Sequence, residues 1–190
     1  MSKKENMIRE YETIREEILQ KVELHNSLIT FMVTTVVALL TFALTQEEPF
    51  LYLLSFCIII PISMRVTYYR TMMIKLSAYI VVYFEKDIEG LKWETRNTQF
   101  VNAENERLYN KLTISHYYEG FLLGIVSYGL FVYNFIQNKN LESGELILVH
   151  LPIILLIWEW MITKRISQFD KERNKWISEW EKLRNNEMGK

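Results

Sequence analysis

The sequence predicts an all-α, polytopic membrane protein with four transmembrane helices and cytoplasmic helical extensions. Two observations lead to this prediction. Charged residues are dense along most of the 190-residue chain but nearly missing from four apolar stretches. Basic residues are also scarce in both links that join these stretches in pairs, with one between them, which is the pattern of a multi-pass membrane protein. We therefore expect a single membrane domain without a separate soluble domain.

The first apolar stretch, residues 27–45, contains no charged residue. As a helix its central apolar part is about 26 Å long, at roughly 1.5 Å per residue, which is near the short limit for crossing a bilayer. Three comparable stretches give the other predicted spans, at 50–69, 118–137 and 146–163. The remaining segments are predicted to be helical and cytoplasmic: an amphipathic helix at 4–24, a helical region at 71–115 and a C-terminal helix at 164–186.

The distribution of basic residues predicts the orientation. The first link, 46–49, has two acids and no base, and the link at 137–145 has one base and two acids. Of the other 21 Lys and Arg residues, Arg65 lies near the inner end of the second span, and 20 lie before the first span, between the second and third, or after the fourth. Because basic residues are retained on the cytoplasmic side, both termini and the central segment are expected to face the cytoplasm of a bacterial inner membrane.

Residues 71–84 are apolar again, but their uninterrupted part is too short to span a bilayer. The segment is either a helix on the inner membrane surface or a cytoplasmic continuation of the second span packed on the N-terminal helix, and we favour the continuation. Gly90 is expected to end this element.

One face of the first span carries small and hydroxylic residues at steps of three and four. They are Ser27, Thr30, Thr34, Ala38, Thr41 and Thr45. Such residues let helices approach closely and hydrogen-bond in lipid. The stripe therefore either packs against other helices, which is the commoner role, or lines a water-filled path.

The third span opens with a GxxxG pattern, Gly120 and Gly124, which favours close helix contact. The pattern does not distinguish packing within one chain from packing between subunits. In the fourth span, Glu159 is the one acid clearly inside an apolar run. It is either a proton or cation contact or the partner of an ion pair with Arg65 or Lys164, and we favour the pair.

Two cytoplasmic segments carry aromatic residues that could bind a partner. Residues 91–97 include Trp93 and Arg96 and form either a recognition loop or a turn between helices. The C-terminal helix has a coiled-coil seam with Trp176, Trp180 and one arginine, Arg173. That seam needs a partner, either the N-terminal helix or the same helix of another subunit.

Motifs of catalysis are missing from the sequence. There is no Walker-type loop, GxGxxG, HExxH or Cys/His cluster, and the three histidines fall on different predicted helices and on both membrane sides. We therefore expect no enzyme, no cofactor and no metal site. The near-neutral net charge of −1 argues against a nucleic-acid partner.

Over roughly Met7 to Phe84, a helix, two spans with a tight outer link and a cytoplasmic helix follow one another. This architecture resembles the small bacterial two-span effector modules called SLATT. The resemblance implies a membrane-perturbing effector that accompanies nucleotide-signalling anti-phage systems. Together with the stripe, the GxxxG pattern and the seam, it leads us to expect a homo-oligomeric, pore-forming effector. The alternative is a non-conducting membrane scaffold or sensor that recruits a cytoplasmic protein.

Overall fold

A computed structural model describes residues 3–46, 48–104, 118–137, 145–166 and 169–189. Within these ranges the chain consists of helices and turns and contains no strand, so the predicted all-α class is confirmed there. The helices are α1 (Lys3–Gln46), a 3₁₀ helix (Pro49–Leu53), α2 (Leu54–Tyr83), α3 (Trp93–Glu104), α4 (Glu119–Gln137), α5 (Glu145–Ile166) and α6 (Phe169–Met188). The part of the predicted 71–115 region beyond Glu104 lies outside the described residues.

Three of these helices are long and apolar enough to cross a membrane, which indicates that the protein associates with one. They are Lys4–Gln46, Pro49–Tyr83 (with the 3₁₀ turn) and Glu119–Gln137. The fourth predicted span forms α5, which is not among the three within the described part of the chain.

The chain divides into two compact units. One, which we call the charged unit, comprises Met1–His25, Tyr68–Ile114 and Ser167–Lys190. The other, the apolar unit, comprises Asn26–Thr67 and Ser115–Ile166. The division follows the sequence, because the apolar unit contains the four apolar stretches and the charged unit contains the segments around them. Both α1 and α2 contribute residues to both units.

The core of the apolar unit is formed by α1, the 3₁₀ helix, α2 and α4. Its buried residues are Met32, Val36, Leu40, Ala43, Tyr52, Ile59, Phe131 and Phe135. Pro49 opens the 3₁₀ helix, where a missing N–H costs little, and Leu51 N donates to Glu48 O at 3.2 Å. Large apolar side chains are more than half exposed around the outside of this unit, among them Phe31, Phe42, Ile154 and Met161. Extensive outward apolar surface is typical of a protein surrounded by lipid.

In the charged unit, α2 continues without interruption to Tyr83, so this segment continues the helix of the second predicted span, as expected. The helix ends seven residues before Gly90, in a turn that places the Phe84 ring 5.7 Å from the Tyr11 ring. Gly90 lies within this turn with φ of 88°, a conformation that favours glycine. Because α3 begins at Trp93, most of the 91–97 segment is helical, and neither a recognition loop nor a turn describes it.

Candidate functional site

The hydroxyl stripe of α1 faces away from the core of the apolar unit. All six stripe residues are exposed, whereas the α1 residues buried in the core are Met32, Val36, Leu40 and Ala43. At roughly 100° per residue around a helix, these two sets lie on opposite sides of α1. Any helix that packs on the stripe must therefore come from outside the described residues of the apolar unit.

Three threonine hydroxyls of the stripe donate hydrogen bonds to their own helix. Thr34 donates to Thr30 O at 2.9 Å, Thr41 to Val37 O at 2.8 Å and Thr45 to Phe42 O at 2.7 Å. Each hydroxyl oxygen can still accept a bond. The stripe is therefore a polar but internally satisfied surface, suited to contact with water or with a close-packed helix.

The GxxxG pair mediates packing inside the apolar unit. A Cβ at Gly120 would collide with Glu159 Oε1 on α5 and with Ser63 Oγ on α2. A Cβ at Gly124 would lie 2.9 Å from Leu156 Cδ2 and 3.3 Å from Phe56 Cε1. The glycine face of α4 is thus already occupied by α2 and α5 of the same chain. The GxxxG pattern therefore serves packing within one chain, a role that the sequence alone did not distinguish from packing between subunits.

Glu159 is buried at this contact, with only 1% of its surface exposed. Its carboxyl group accepts a hydrogen bond from Ser63. Within the described part of the chain, Oε2 has no hydrogen-bond partner, so the bond from Ser63 falls on Oε1. The Ser63 hydroxyl oxygen also lies 3.9 Å from Met32 Sδ. Four helices, α1, α2, α4 and α5, therefore meet around this carboxyl group.

The two cations predicted as ion-pair partners of Glu159 have other surroundings. Arg65 is exposed, and Lys164 Nζ lies 4.7 Å from the centroid of the Trp160 ring. The contact that the structure gives to Glu159 is with a neutral hydroxyl group. Sequence reasoning missed Ser63, because a lone serine inside an apolar stretch carries no local signal for a partner almost a hundred residues away.

In the charged unit, α3 exposes one face that is unusually aromatic. Trp93 and Phe100 are 54% and 62% exposed, and Arg96 and Asn97 lie on the same face. With Lys92 and the turn before it, these residues line an open groove of about 390 Å³. Arg15 lies over the Trp93 ring at 5.0 Å. The groove combines cations with exposed rings, which suits an acidic or aromatic partner group.

The opposite face of α3 is polar and is held against the rest of the charged unit. Glu94 accepts from Arg15 Nη1 at 2.9 Å and from Ser77 Oγ at 2.7 Å. Glu85 accepts from Glu94 N at 2.6 Å and also from the backbone and hydroxyl of Thr95. Glu85 thereby caps the first turn of α3. Sequence reasoning missed both roles, because a cap nine residues away leaves no capping-box signature.

The tryptophans of α6 pack on the C-terminal part of α2. The Trp180 ring lies 5.0 Å from the Tyr79 ring, and its Nε1 donates to Lys75 O at 3.1 Å. Lys75 Nζ lies 5.0 Å from the Trp176 ring centroid. The predicted core arginine, Arg173, is buried and donates to Glu94 O at 3.1 Å. The two predicted alternatives for the partner did not include α2, which supplies the contacts of Trp180.

Within the described residues, no group of three or more His, Cys, Asp and Glu side chains is arranged to hold a metal ion. The chain matches no protein-family model, no curated protein and no solved structure. Any statement about function therefore rests on the sequence and the geometry of the chain itself.

Proposed function

We propose that the protein is a multi-pass inner-membrane protein that assembles into a homo-oligomeric pore lined by the first span. The observation that carries the proposal is the outward-facing hydroxyl stripe of α1. Small hydroxylic residues facing lipid over the length of a span serve little purpose in a single chain. In a ring of subunits, the same face would supply hydroxyl oxygens to a water-filled path.

The proposal includes four spans, with both termini and the 71–115 region on the cytoplasmic side. The fourth span is α5, and it is supported by its length and by the burial of its Glu159 face against α2 and α4. The distribution of basic residues supports the orientation. The architectural resemblance to SLATT modules supports a role as a membrane-perturbing effector, and anti-phage defence is the setting which that resemblance implies.

The decisive variant replaces Thr34 and Thr41 with valine, which has nearly the shape of threonine but no hydroxyl group. We expect induced expression of the natural chain to depolarise cells, measured with a voltage-sensitive dye, and the T34V/T41V variant to depolarise them much less. The reason is that a pore without its hydroxyl lining dewets more readily. Serine at both positions keeps the hydroxyl groups and should retain the depolarisation.

A matched control for T34V/T41V substitutes two residues of α1 that lie outside the stripe. Val33 and Leu44 are exposed on α1 on another side, and V33L/L44M adds no polar group there. This control should behave like the natural chain at equal membrane levels. Full depolarisation by T34V/T41V would contradict a pore lined by α1.

The alternative function, a non-conducting scaffold or sensor, is favoured by the aromatic face of α3. On this proposal the Trp93 and Arg96 surface recruits a cytoplasmic protein. A membrane potential that holds at confirmed expression would exclude a constitutively open pore. Crosslinked capture of a partner that W93A/R96A loses, and that W180A retains, would then favour the scaffold.

A further inference from the structure

The buried carboxyl group of Glu159 plays no part in the proposed pore. It is 1% exposed, it meets one neutral donor, and within the described residues its Oε2 has no hydrogen-bond partner. A carboxylate in such a place would be an unpaired charge without hydration, and buried charges are normally paired or neutralised. A neutral carboxylic acid fits the same surroundings, because it carries no charge and leaves only the Oε2 atom without a hydrogen-bond partner.

The charged residues nearest to the Glu159 carboxyl group do not neutralise it in the place of a proton. Along α2 the nearest charge is Arg65, which is exposed, and along α5 it is Lys164, which lies over Trp160. On α4 the nearest charged residue is Glu119, an acid. From α1, the apolar Met32 packs beside Ser63, with its Sδ 3.9 Å from the Ser63 hydroxyl oxygen. Arg65, Glu119 and Lys164 each have further contacts of their own. Within the ranges that the structure describes, the polar group in contact with the Glu159 carboxyl group is the hydroxyl of Ser63, which is neutral.

The space between Gly120 and the hydrogen-bonded oxygen of Glu159 is too small for a water molecule. The backbone of α4 approaches so closely at Gly120 that even a Cβ there would collide with both Glu159 Oε1 and Ser63 Oγ. Water could enter between Gly120 and these two oxygens only if α4 separated from α2 and α5.

We propose that Glu159 is a proton-binding site, which carries a proton on Oε2 in this conformation and releases it only when Gly120 moves away from Ser63. On release the O–H bond breaks, its electron pair stays on Oε2 and the proton passes to the entering water. On uptake the steps reverse and α4 closes on the neutral acid. The proposal does not depend on whether the protein conducts ions.

Infrared difference spectroscopy of the full chain in lipid at neutral pH tests whether Glu159 carries a proton in this conformation. A neutral carboxylic acid has a carbonyl stretching band that carboxylates lack. We expect such a band, shifted when the glutamate side chains carry ¹³C in their carboxyl groups, and absent from E159Q. The isotope assigns the band to glutamate without any change at residue 159.

Two serine variants then assign the band to one glutamate. Ser63 donates to Glu159, and loss of that donor in S63A should move the band to higher frequency. Ser77 makes the matched contact, a hydrogen bond to Glu94 Oε2 at 2.7 Å, and S77A should leave the band in place. The absence of a neutral glutamate band, or a band that S77A moves and S63A does not, would overturn the proposal.

Hydrogen exchange of the α4 amides tests whether proton release requires Gly120 to move away from Ser63. As pH rises and the band disappears, exchange around Gly120 should speed up in the natural chain, while in E159Q it should change only by the ordinary base catalysis of exchange. Loss of the band with α4 protection equal to that of E159Q would show that the proton leaves without helix separation.

Discussion

At the scale of single residues, glycine at position 120 sets how closely α4 can lie against α2 and α5. Its missing side chain leaves the space in which the Glu159 and Ser63 oxygens lie. The motif was visible in the sequence because glycines four apart on an apolar helix share a face. The carboxyl group that it accommodates was not, since no local pattern links Gly120 to Glu159.

We expect G120A to destabilise the apolar unit by about 1–3 kcal/mol, the usual cost of forcing an extra methyl group into a packed contact. G124A should cost less, because the flexible end of Leu156 can yield. Unfolding in mild detergent, followed by helix signal, measures both changes.

Gly129 on the same helix is the matched control. A Cβ there meets no heavy atom within 4 Å, apart from its own helix backbone, in the described residues. Because alanine favours helix over glycine by up to about 1 kcal/mol, G129A should be neutral or stabilising. Equal destabilisation by all three substitutions would mean that helix propensity in the membrane, rather than contact with α2 and α5, determines the effect.

At the scale of elements, α3 is oriented by its polar side. Glu94 and Glu85 hold that side inward, so Trp93 and Phe100 remain on the surface. Burying carboxylates while exposing rings reverses the usual arrangement, in which charged side chains are exposed and apolar ones are buried. An amphipathic pattern alone would have predicted the aromatic face to be the buried one.

Removal of the Glu94 carboxylate should therefore release α3. In E94A the Arg15 guanidinium and the Ser77 hydroxyl lose a shared acceptor, and we expect a loss of about 1–3 kcal/mol. Amide exchange along α3 should accelerate more than exchange along α6.

The exposed pair of Lys86 and Glu181 provides the comparison. Its atoms are closer, at 2.6 Å, but both side chains are more than 40% exposed. Exposed pairs contribute only about 0–1 kcal/mol, so E181A should leave α3 exchange unchanged. If E181A released α3 as strongly as E94A, the difference in burial would not explain the orientation of α3.

At the scale of the whole molecule, the sides on which the two termini lie depend on whether α5 crosses the membrane. Three helices meet the length and hydropathy of a span within the described residues, and three spans would place the two termini on opposite sides. Four spans return the C-terminus to the side of the N-terminus, as the basic residues predict.

Labelling of single cysteines on intact cells separates the two topologies. Cys57 is the only natural cysteine and would first be replaced by alanine. We expect a membrane-impermeant thiol reagent to label E48C and N140C on intact cells, and E12C, K92C and N186C only after permeabilisation. Labelling of N186C on intact cells would indicate three spans.

Much of the fold was predictable because it depends on local properties of the chain. Hydropathy locates apolar helices, and α1 runs unbroken from the amphipathic N-terminal segment into the first span because no Gly or Pro interrupts it. The candidate site was only partly predictable. The stripe and the glycine pair follow from helical periodicity, whereas the contacts of Glu159, Glu94 and Trp180 join residues 79 or more positions apart or on separate helices.

By itself, the sequence determined the helical class, the apolar segments and the residues that share a face, since each depends on neighbours within a few helical turns. Only the tertiary structure decided which faces are covered. It turned the α1 hydroxyl stripe outward, closed the α4 glycines onto α2 and α5, and gave Glu159 a serine rather than a cation. Those outcomes depend on how several helices pack together, and a side chain's partner is chosen by that packing rather than by its own stretch of chain.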